Sequence, residues 1–180
     1  FPVLFVLIVV VSAFIYKHYS NMANTRNYVA ITTDEFIQQL LKGRISIYQF
    51  LRNPNEENRK IVIENFKQLD NDVNTLQRVL VTQKNKLLCD EILAFSFVYI
   101  SDFESLSEKR IIEYANGAII EADDVKNKIS KMATVGLKLE DKIIEINKSA
   151  IELRDEAFSL LDSSLEILAV IAIIVFILIS

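Results

Sequence analysis

Apolar and polar positions alternate at helical spacing over most of this chain. In its last quarter, apolar or small residues recur at intervals of four and three, which places them on one face of a single helix: Met132, Gly136, Leu139, Ile143, Ile146, Ala150, Leu153, Ala157 and Leu160. No charged residue occurs from Ile167 to Ser180. We therefore expect this helix to continue directly into a membrane segment.

Two earlier helices follow from the same spacing. The first runs from about residue 17 to 52, and it ends before Pro54 because the residue that precedes a proline is disfavoured in a helix. The second, residues 55–82, carries a stripe formed by Val62, Phe66, Leu69, Val73, Leu76 and Leu80.

A third helix is predicted for residues 87–116, after a turn in the polar segment 83–86. Its apolar run, residues 92–100, is too short to cross a bilayer, so we expect it to be buried on more than one face. Periodicity alone shows no break before the fourth helix.

The turn into the fourth helix follows from chain closure. Both outer helices must return to the same membrane, which places the turn between Asn116 and Asp124, and Asn116-Gly117 is a good helix C-cap. The fourth helix is then residues 118–165. A break between Ala133 and Gly136 is the alternative.

The first 16 residues, Phe1–Tyr16, form an apolar run that ends at Lys17. We expect a truncated membrane helix there, the alternative being the core of a signal peptide. The predicted organisation is a membrane helix (1–16), an extracytoplasmic bundle (17–165) and a second truncated membrane helix (166–180). The predicted fold class is all-α, an antiparallel up-down-up-down four-helix bundle whose first and last helices continue into the membrane.

Composition supports long helices and argues against several kinds of chemistry. The chain has 51% hydrophobic residues, only three glycines and two prolines, and a net charge of −4. Its charges are too mixed for nucleic acid. A single histidine, His18, and a single cysteine, Cys89, leave no metal-ligand set, no hydrolase triad and no intrachain disulfide. We therefore expect no enzymatic activity, metal or cofactor, and an inert buried thiol.

The candidate binding residues are basic and aromatic. Arg44 interrupts an apolar stripe, so its guanidinium must pair, reach solvent or contact a ligand. Basic residues near the membrane-distal end, together with nearby tyrosines, can hold a small carboxylate such as an anionic amino or organic acid. The predicted site consists of Arg44, Tyr48, Arg52, Arg59, Arg110 and Tyr114. The alternative is that neighbouring glutamates neutralise these cations: Glu56, Glu57, Glu108 and Glu113.

The predicted architecture, two membrane helices on either side of a helical bundle, carries a resemblance to a known family, and two segments add to it. The segment Ile47–Glu57 (IYQFLRNPNEE) is similar to the first hairpin, and Asn116–Ala122 (NGAIIEA) to the turn into the fourth helix, of the four-helix-bundle ligand-binding domains of bacterial methyl-accepting chemotaxis proteins and some sensor histidine kinases. The resemblance implies a two-pass protein of the bacterial cytoplasmic (inner) membrane. It also implies that the bundle binds a small molecule or a periplasmic binding protein.

We accordingly expect a sensing region that transmits a shift of its last helix across the membrane, as a parallel homodimer in contact with lipid. The alternatives are the sensor region of a histidine kinase or cyclase, and a membrane-anchored helical scaffold with no small ligand.

Overall fold

The computed structural model of the chain describes residues 2–118 and 122–179, and within them the side chains of residues 6–118 and 122–177. These residues form four helices and no strand: α1 (Pro2–Arg52), α2 (Glu56–Val79), α3 (Gln83–Ala115) and α4 (Asp123–Ile179). The predicted all-α fold of four long helices is confirmed. The domain boundaries predicted near residues 16 and 166 fall inside the continuous helices α1 and α4.

The helices divide into two compact units. A central unit comprises residues 32–147, and a terminal unit comprises residues 1–31 and 148–180. The central unit contains α2, α3 and the adjoining parts of α1 and α4.

Neighbouring helices of the central unit run antiparallel. In each of three helix pairs, as the residue number increases along one helix, the residue number of its contact on the other helix decreases. The contacts are Arg59–Glu108 and Gln77–Asp90 for α2 and α3, Glu91–Lys142 and Lys109–Asp124 for α3 and α4, and Thr33–Asn147 and Arg44–Glu140 for α1 and α4.

The core of the central unit is built from the predicted stripes. All six apolar positions of the α2 stripe are buried, as are Phe36, Leu40 and Ile47 of α1. Two aromatic pairs join different helices: the rings of Phe50 and Phe103 meet edge to face at 5.1 Å, and those of Phe66 and Tyr99 are tilted at the same distance. The four-three spacing therefore predicted the α2 stripe correctly, whereas Leu160 of the stripe predicted for α4 is 40% exposed.

The turn between α2 and α3 lies earlier than predicted. The helix α2 ends at Val79 and α3 begins at Gln83, so the polar segment 83–86 is the first turn of α3. The Thr82 hydroxyl caps that turn by accepting a hydrogen bond from the Asn85 backbone N–H at 3.4 Å. Polar residues are favourable at a capped helix start, which is why the prediction of a turn at these four residues was wrong.

The expectation that residues 92–100 are buried on more than one face was also wrong. The Phe97 side chain is 73% exposed and Val98 is 43% exposed, whereas Ile92, Ser96 and Tyr99 on the opposite face are buried. This segment is an amphipathic helix whose outer face is apolar.

The predicted C-cap of α3 is confirmed. The helix ends at Ala115, and Gly117 adopts a φ of +84°, a conformation that glycine adopts without a steric penalty. The backbone N–H of Ala118 donates to the Glu113 carbonyl at 3.0 Å. Because α4 begins at Asp123 and is continuous past residue 136, the alternative break between Ala133 and Gly136 is excluded. Residues 119–121 of the predicted turn lie outside the described residues.

The terminal unit carries the apolar ends of α1 and α4. Among the described residues these two helices are long and apolar enough to cross a membrane, and only 6% of each apolar stretch is buried. Large apolar side chains such as Phe14 and Phe176 are more than 70% exposed. Within the same unit, Arg26 donates to the Leu153 carbonyl and to Glu156 Oε2, both at 3.0 Å, and so joins α1 to α4.

Candidate functional site

A cleft of about 270 Å³ opens in the central unit. Its walls come from three helices: Arg44, Ile47, Tyr48 and Leu51 of α1, Tyr99 and Leu106 of α3, and Ile129, Met132, Ala133, Gly136 and Leu137 of α4. The wall is mainly apolar, and the polar side chains on it are those of Arg44 and the two tyrosines. This cleft is our candidate site because ligand sites are concave, mostly apolar and equipped with a few convergent polar groups.

The Arg44 guanidinium marks the polar end of the cleft. Its Nη1 donates to Glu140 Oε2 at 2.7 Å, and its Nη2 donates to the backbone carbonyl oxygen of Gly136 at 2.8 Å. Both acceptors belong to α4, so one arginine of α1 is bound to two successive turns of the last helix. Of the three outcomes expected for Arg44, pairing is the one observed.

Tyr99 forms the inner wall beside Arg44. Its side chain is 6% exposed, and its ring packs on Phe66 and against the backbone at Gly136. Burial raises the pKa of the Tyr99 hydroxyl, an effect that Arg44 opposes and Tyr48 reinforces, so the phenol stays protonated at neutral pH. Within the described chain this hydroxyl makes no hydrogen bond.

The absence of a side chain at Gly136 gives this end of the cleft its shape. A Cβ atom there would lie 3.0 Å from Tyr99 Cε2 and 3.6 Å from Arg44 Nη2. Glycine therefore allows the ring and the guanidinium to approach α4 together.

Tyr48 and Leu137 form the rim of the cleft. Their side chains are 72% and 59% exposed. Of the predicted site residues, Tyr48 therefore joins Arg44 at the cleft and lies at its mouth.

The other predicted site residues lie elsewhere, near the end of the central unit that contains the α1–α2 turn. Arg59 pairs with Glu56 at 3.2 Å and with Glu108 at 3.5 Å. Arg110 is 1% exposed; it donates to the Ala118 carbonyl at 3.0 Å and lies 3.5 Å from Glu113. The structure therefore does not bring these cations into the cleft with Arg44.

Tyr114 and Arg52 complete the predicted set. The Arg110 guanidinium lies over the Tyr114 ring, 5.8 Å from its centroid, and this ring is 41% exposed. Arg52 is exposed and makes no ion pair with any described residue. The glutamate pairing offered as the alternative is thus present at Arg59 and Arg110, and the role of this cluster in binding stays a prediction.

Sequence reasoning missed Tyr99 on the cleft wall and Glu140, the carboxylate partner of Arg44. Tyr99 lies in the apolar run 92–100, which was interpreted as buried core. Nothing in a single sequence marks Glu140 as the partner of an arginine 96 positions away. The signal that was available is Gly136 in the stripe of the last helix, since a glycine in mid-helix indicates close approach of another group.

No group of three or more metal-ligating side chains occurs among the described residues. Cys89 is buried, and burial together with the neighbouring Asp90 carboxylate raises the pKa of its thiol to about 12. The thiol is therefore protonated at neutral pH, in agreement with the predicted inert buried cysteine.

Comparisons with protein-family models, with curated proteins and with solved structures found no match.

Proposed function

We propose that this chain is the extracytoplasmic sensing and transmembrane signalling region of a bacterial receptor of the methyl-accepting chemotaxis class. The observation that carries the proposal is the double role of two helices. The same helices, α1 and α4, provide most of the cleft wall and carry the exposed apolar stretches. A ligand that changes the packing of α1 against α4 thereby acts on the two elements that are long and apolar enough to cross a membrane.

The contacts of Arg44 supply a route for that change. A displacement of α4 along α1 alters the distances from the guanidinium to the Gly136 carbonyl and to Glu140. Small buried residues, Gly136, Ala150 and Ala157, lie on the packed face of α4. Small side chains interlock less deeply than large ones, so two packings that differ by a few kcal/mol are accessible on such a face.

In this proposal the chain crosses the bacterial inner membrane twice, and residues 17–165 lie outside the cytoplasm. The exposed apolar side chains of the terminal unit support contact with lipid, because so large an apolar surface is unfavourable in water. The receptor acts as a parallel homodimer. The exposed apolar residues Leu41, Ile45 and Tyr48, which lie at helical spacing on α1, supply a contact face for it.

Two alternative functions belong to other classes. The same region in a sensor histidine kinase or cyclase requires no change in the cleft, since these receptors differ in the output domain. A membrane-anchored helical scaffold requires no ligand at all. The exposed apolar residues Phe97 and Val98 of α3 favour this alternative, because they offer a surface on which another protein can bind.

Topology is tested with reporter insertions in the α1–α2 turn, between Asn53 and Asn55, and at Gly117. Alkaline phosphatase is active only outside the cytoplasm, and green fluorescent protein exported through the general secretory route does not fluoresce. We expect active phosphatase and dark fluorescent protein at both sites. The opposite result at either site rejects the proposed topology.

Signalling is tested with a chimera in which the output domain of a characterised chemoreceptor follows residue 180. Two variants alter the contact between α1 and α4: Gly136→Leu displaces Tyr99, and Arg44→Met removes the bonds from α1 to α4. Each is expected to change the kinase activity of the chimera relative to wild type, and the two changes are expected to differ in size or direction. Arg52→Met is the matched control, since Arg52 is exposed and outside the cleft. Equal output from all four chimeras, with equal membrane levels, supports the scaffold instead.

A further inference from the structure

The polar end of the cleft is electrically balanced. The Arg44 guanidinium and the Glu140 carboxylate are 2.7 Å apart, and their side chains are 23% and 34% exposed. A second guanidinium nitrogen is engaged by the Gly136 carbonyl. An anion that enters the cleft therefore meets a carboxylate beside the arginine, and the repulsion offsets the attraction.

Of the two tyrosine hydroxyls on the cleft wall, that of Tyr48 belongs to a rim residue that is 72% exposed, whereas that of Tyr99 belongs to a residue on the buried inner wall. The residue is more than nine-tenths buried, it lines the cleft, and its hydroxyl makes no hydrogen bond with any described residue. A protonated phenol can donate one hydrogen bond. Its hydrogen-bonding capacity is thus left for a molecule that occupies the cleft.

The size of the cleft limits the occupant. An engineered apolar cavity of roughly 150 Å³ accommodates benzene. By that comparison, the cleft of about 270 Å³ has room for roughly ten non-hydrogen atoms. Tyr48 and Leu137 at the rim offer apolar surface that such a molecule would cover.

We infer that the cleft binds a small uncharged molecule that has an apolar body, ring-shaped or branched, and one oxygen atom that accepts a hydrogen bond from Tyr99. This inference rests on the proposed sensing function and specifies its ligand class. It differs from the anionic amino or organic acid expected from the sequence, because the structure pairs the arginine on which that expectation depended.

The test uses the full chain in lipid nanodiscs and four matched probes. Acetophenone is neutral and has an acceptor oxygen, ethylbenzene has the same carbon skeleton without the acceptor, benzoate is the anion, and phenylalanine is the amino acid. Ligand-observed NMR titration gives a dissociation constant for each. We expect acetophenone to bind roughly fivefold more tightly than ethylbenzene and roughly tenfold more tightly than benzoate or phenylalanine.

Two variants test the assigned groups. Tyr99→Phe keeps the ring and removes the hydroxyl, so acetophenone should bind about fivefold more weakly while ethylbenzene binds unchanged. Glu140→Gln removes the negative charge beside Arg44, so benzoate should bind more tightly by about fivefold or more.

A cleft-filling variant separates binding in the cleft from partition into lipid. Ala133 lines the cleft and is exposed, so Ala133→Phe can narrow the cleft without entering the core. Thr134→Phe is the matched control, since it adds the same ring one residue further along, away from the cleft. Specific binding of acetophenone should disappear in the first variant and persist in the second.

The inference is overturned if benzoate or phenylalanine binds the wild type as tightly as acetophenone does. It is also overturned if acetophenone binds Tyr99→Phe as tightly as it binds the wild type. A third contrary result is that every probe binds Ala133→Phe and Thr134→Phe equally well. None of these results depends on signalling. Failure here leaves the chimera experiment intact, whereas equal output from the chimeras leaves the binding series intact.

Discussion

The Nη2 atom of Arg44 donates a hydrogen bond to the backbone carbonyl oxygen of Gly136 at 2.8 Å, across the interface between α1 and α4. A carbonyl oxygen has two lone pairs, so it can accept this bond in addition to its helical one. The arginine is thereby attached to the helix backbone itself as well as to the Glu140 side chain.

Removal of that attachment should weaken the fold. Arg44→Met keeps an unbranched apolar stem and loses both charge-assisted bonds. We expect the free energy of unfolding to fall by about 1–2 kcal/mol, reduced from the value for a buried pair because both groups are partly exposed. Thermal unfolding of the full chain in detergent micelles, followed by circular dichroism, measures this. Arg52→Met is the control and should stay within about 0.5 kcal/mol. Equal losses in the two variants contradict the structural role of Arg44.

Gly43 is required by the close approach of Phe66. A Cβ atom at Gly43 would lie 2.6 Å from Phe66 Cε2, and the phenylalanine is 1% exposed. Gly43→Ala should therefore destabilise the chain by about 1 kcal/mol, since overpacking outweighs the gain in helix propensity. The loss in the double variant Gly43→Ala with Phe66→Leu should be smaller than the sum of the two single losses. Lys42→Ala, at the exposed neighbouring position, is the control. If Gly43→Ala leaves the free energy of unfolding as high as Lys42→Ala does, the close contact with Phe66 is contradicted.

The cap at Thr82 determines where α3 begins. Thr82→Ala removes the acceptor for the Asn85 backbone N–H and should cost about 0.5–1 kcal/mol, the lower part of the usual range because the bond is long. Thr75→Ala is the matched control, since the Thr75 hydroxyl donates to the Asn71 carbonyl within an exposed part of α2. Hydrogen exchange should accelerate at residues 83–86 in the first variant alone, and unchanged exchange there contradicts the cap.

Asp70 should give the chain a pH-dependent weakness. Burial raises the pKa of its carboxyl above 3.8, and the nearby Ser96 hydroxyl opposes the shift. Asp70 Oδ1 and Ser96 Oγ are both buried without a normal hydrogen bond to any described residue. Because the folded state binds the proton more tightly than the unfolded state, the stability contributed by Asp70 falls as the pH rises through the raised pKa.

The isosteric variant Asp70→Asn isolates this effect. It should be more stable than wild type at pH 7, and the difference should shrink as the pH is lowered toward 3.8, because the wild-type carboxyl of the folded chain takes up its proton as the pH falls. Paired melts at a series of pH values measure the difference and cancel the titration of other groups. A difference that grows as the pH falls contradicts the direction of the shift.

Cys89 should resist alkylation as long as the chain is folded. With the thiol pKa raised to about 12, the reactive thiolate is scarce at pH 8. Mass spectrometry after treatment with iodoacetamide should show modification roughly a hundredfold slower than in the chain unfolded by detergent and heat. Similar rates in both states contradict burial of the thiol.

The sequence by itself determined the four helices, the buried stripe of α2, and the helix ends at the α1–α2 turn and before Gly117. It did not determine the start of α4, which lies at Asp123 and not at residue 118. Helical period is a local property, so the stripe from Val62 to Leu80 predicted its own burial, and the conformational freedom of Gly117 predicted the end of α3. Where local signals compete, as at residues 83–86, polarity alone did not distinguish a turn from a capped helix start. The exposure of Phe97 was missed because apolar composition does not reveal which face has a partner.

Only the tertiary structure decided which of the predicted site residues come together. Arg44, Arg59 and Arg110 are equivalent as isolated basic residues, yet the axial register of antiparallel helices gives Arg44 a carboxylate on α4 and a place in the cleft, and pairs the other two with glutamates elsewhere. That register results from packing along whole helices, including the Phe50–Phe103 contact. A shift by one helical turn, about 5.4 Å, would change every partner while leaving each stripe intact, which is why periodicity predicted the bundle and could not predict the site.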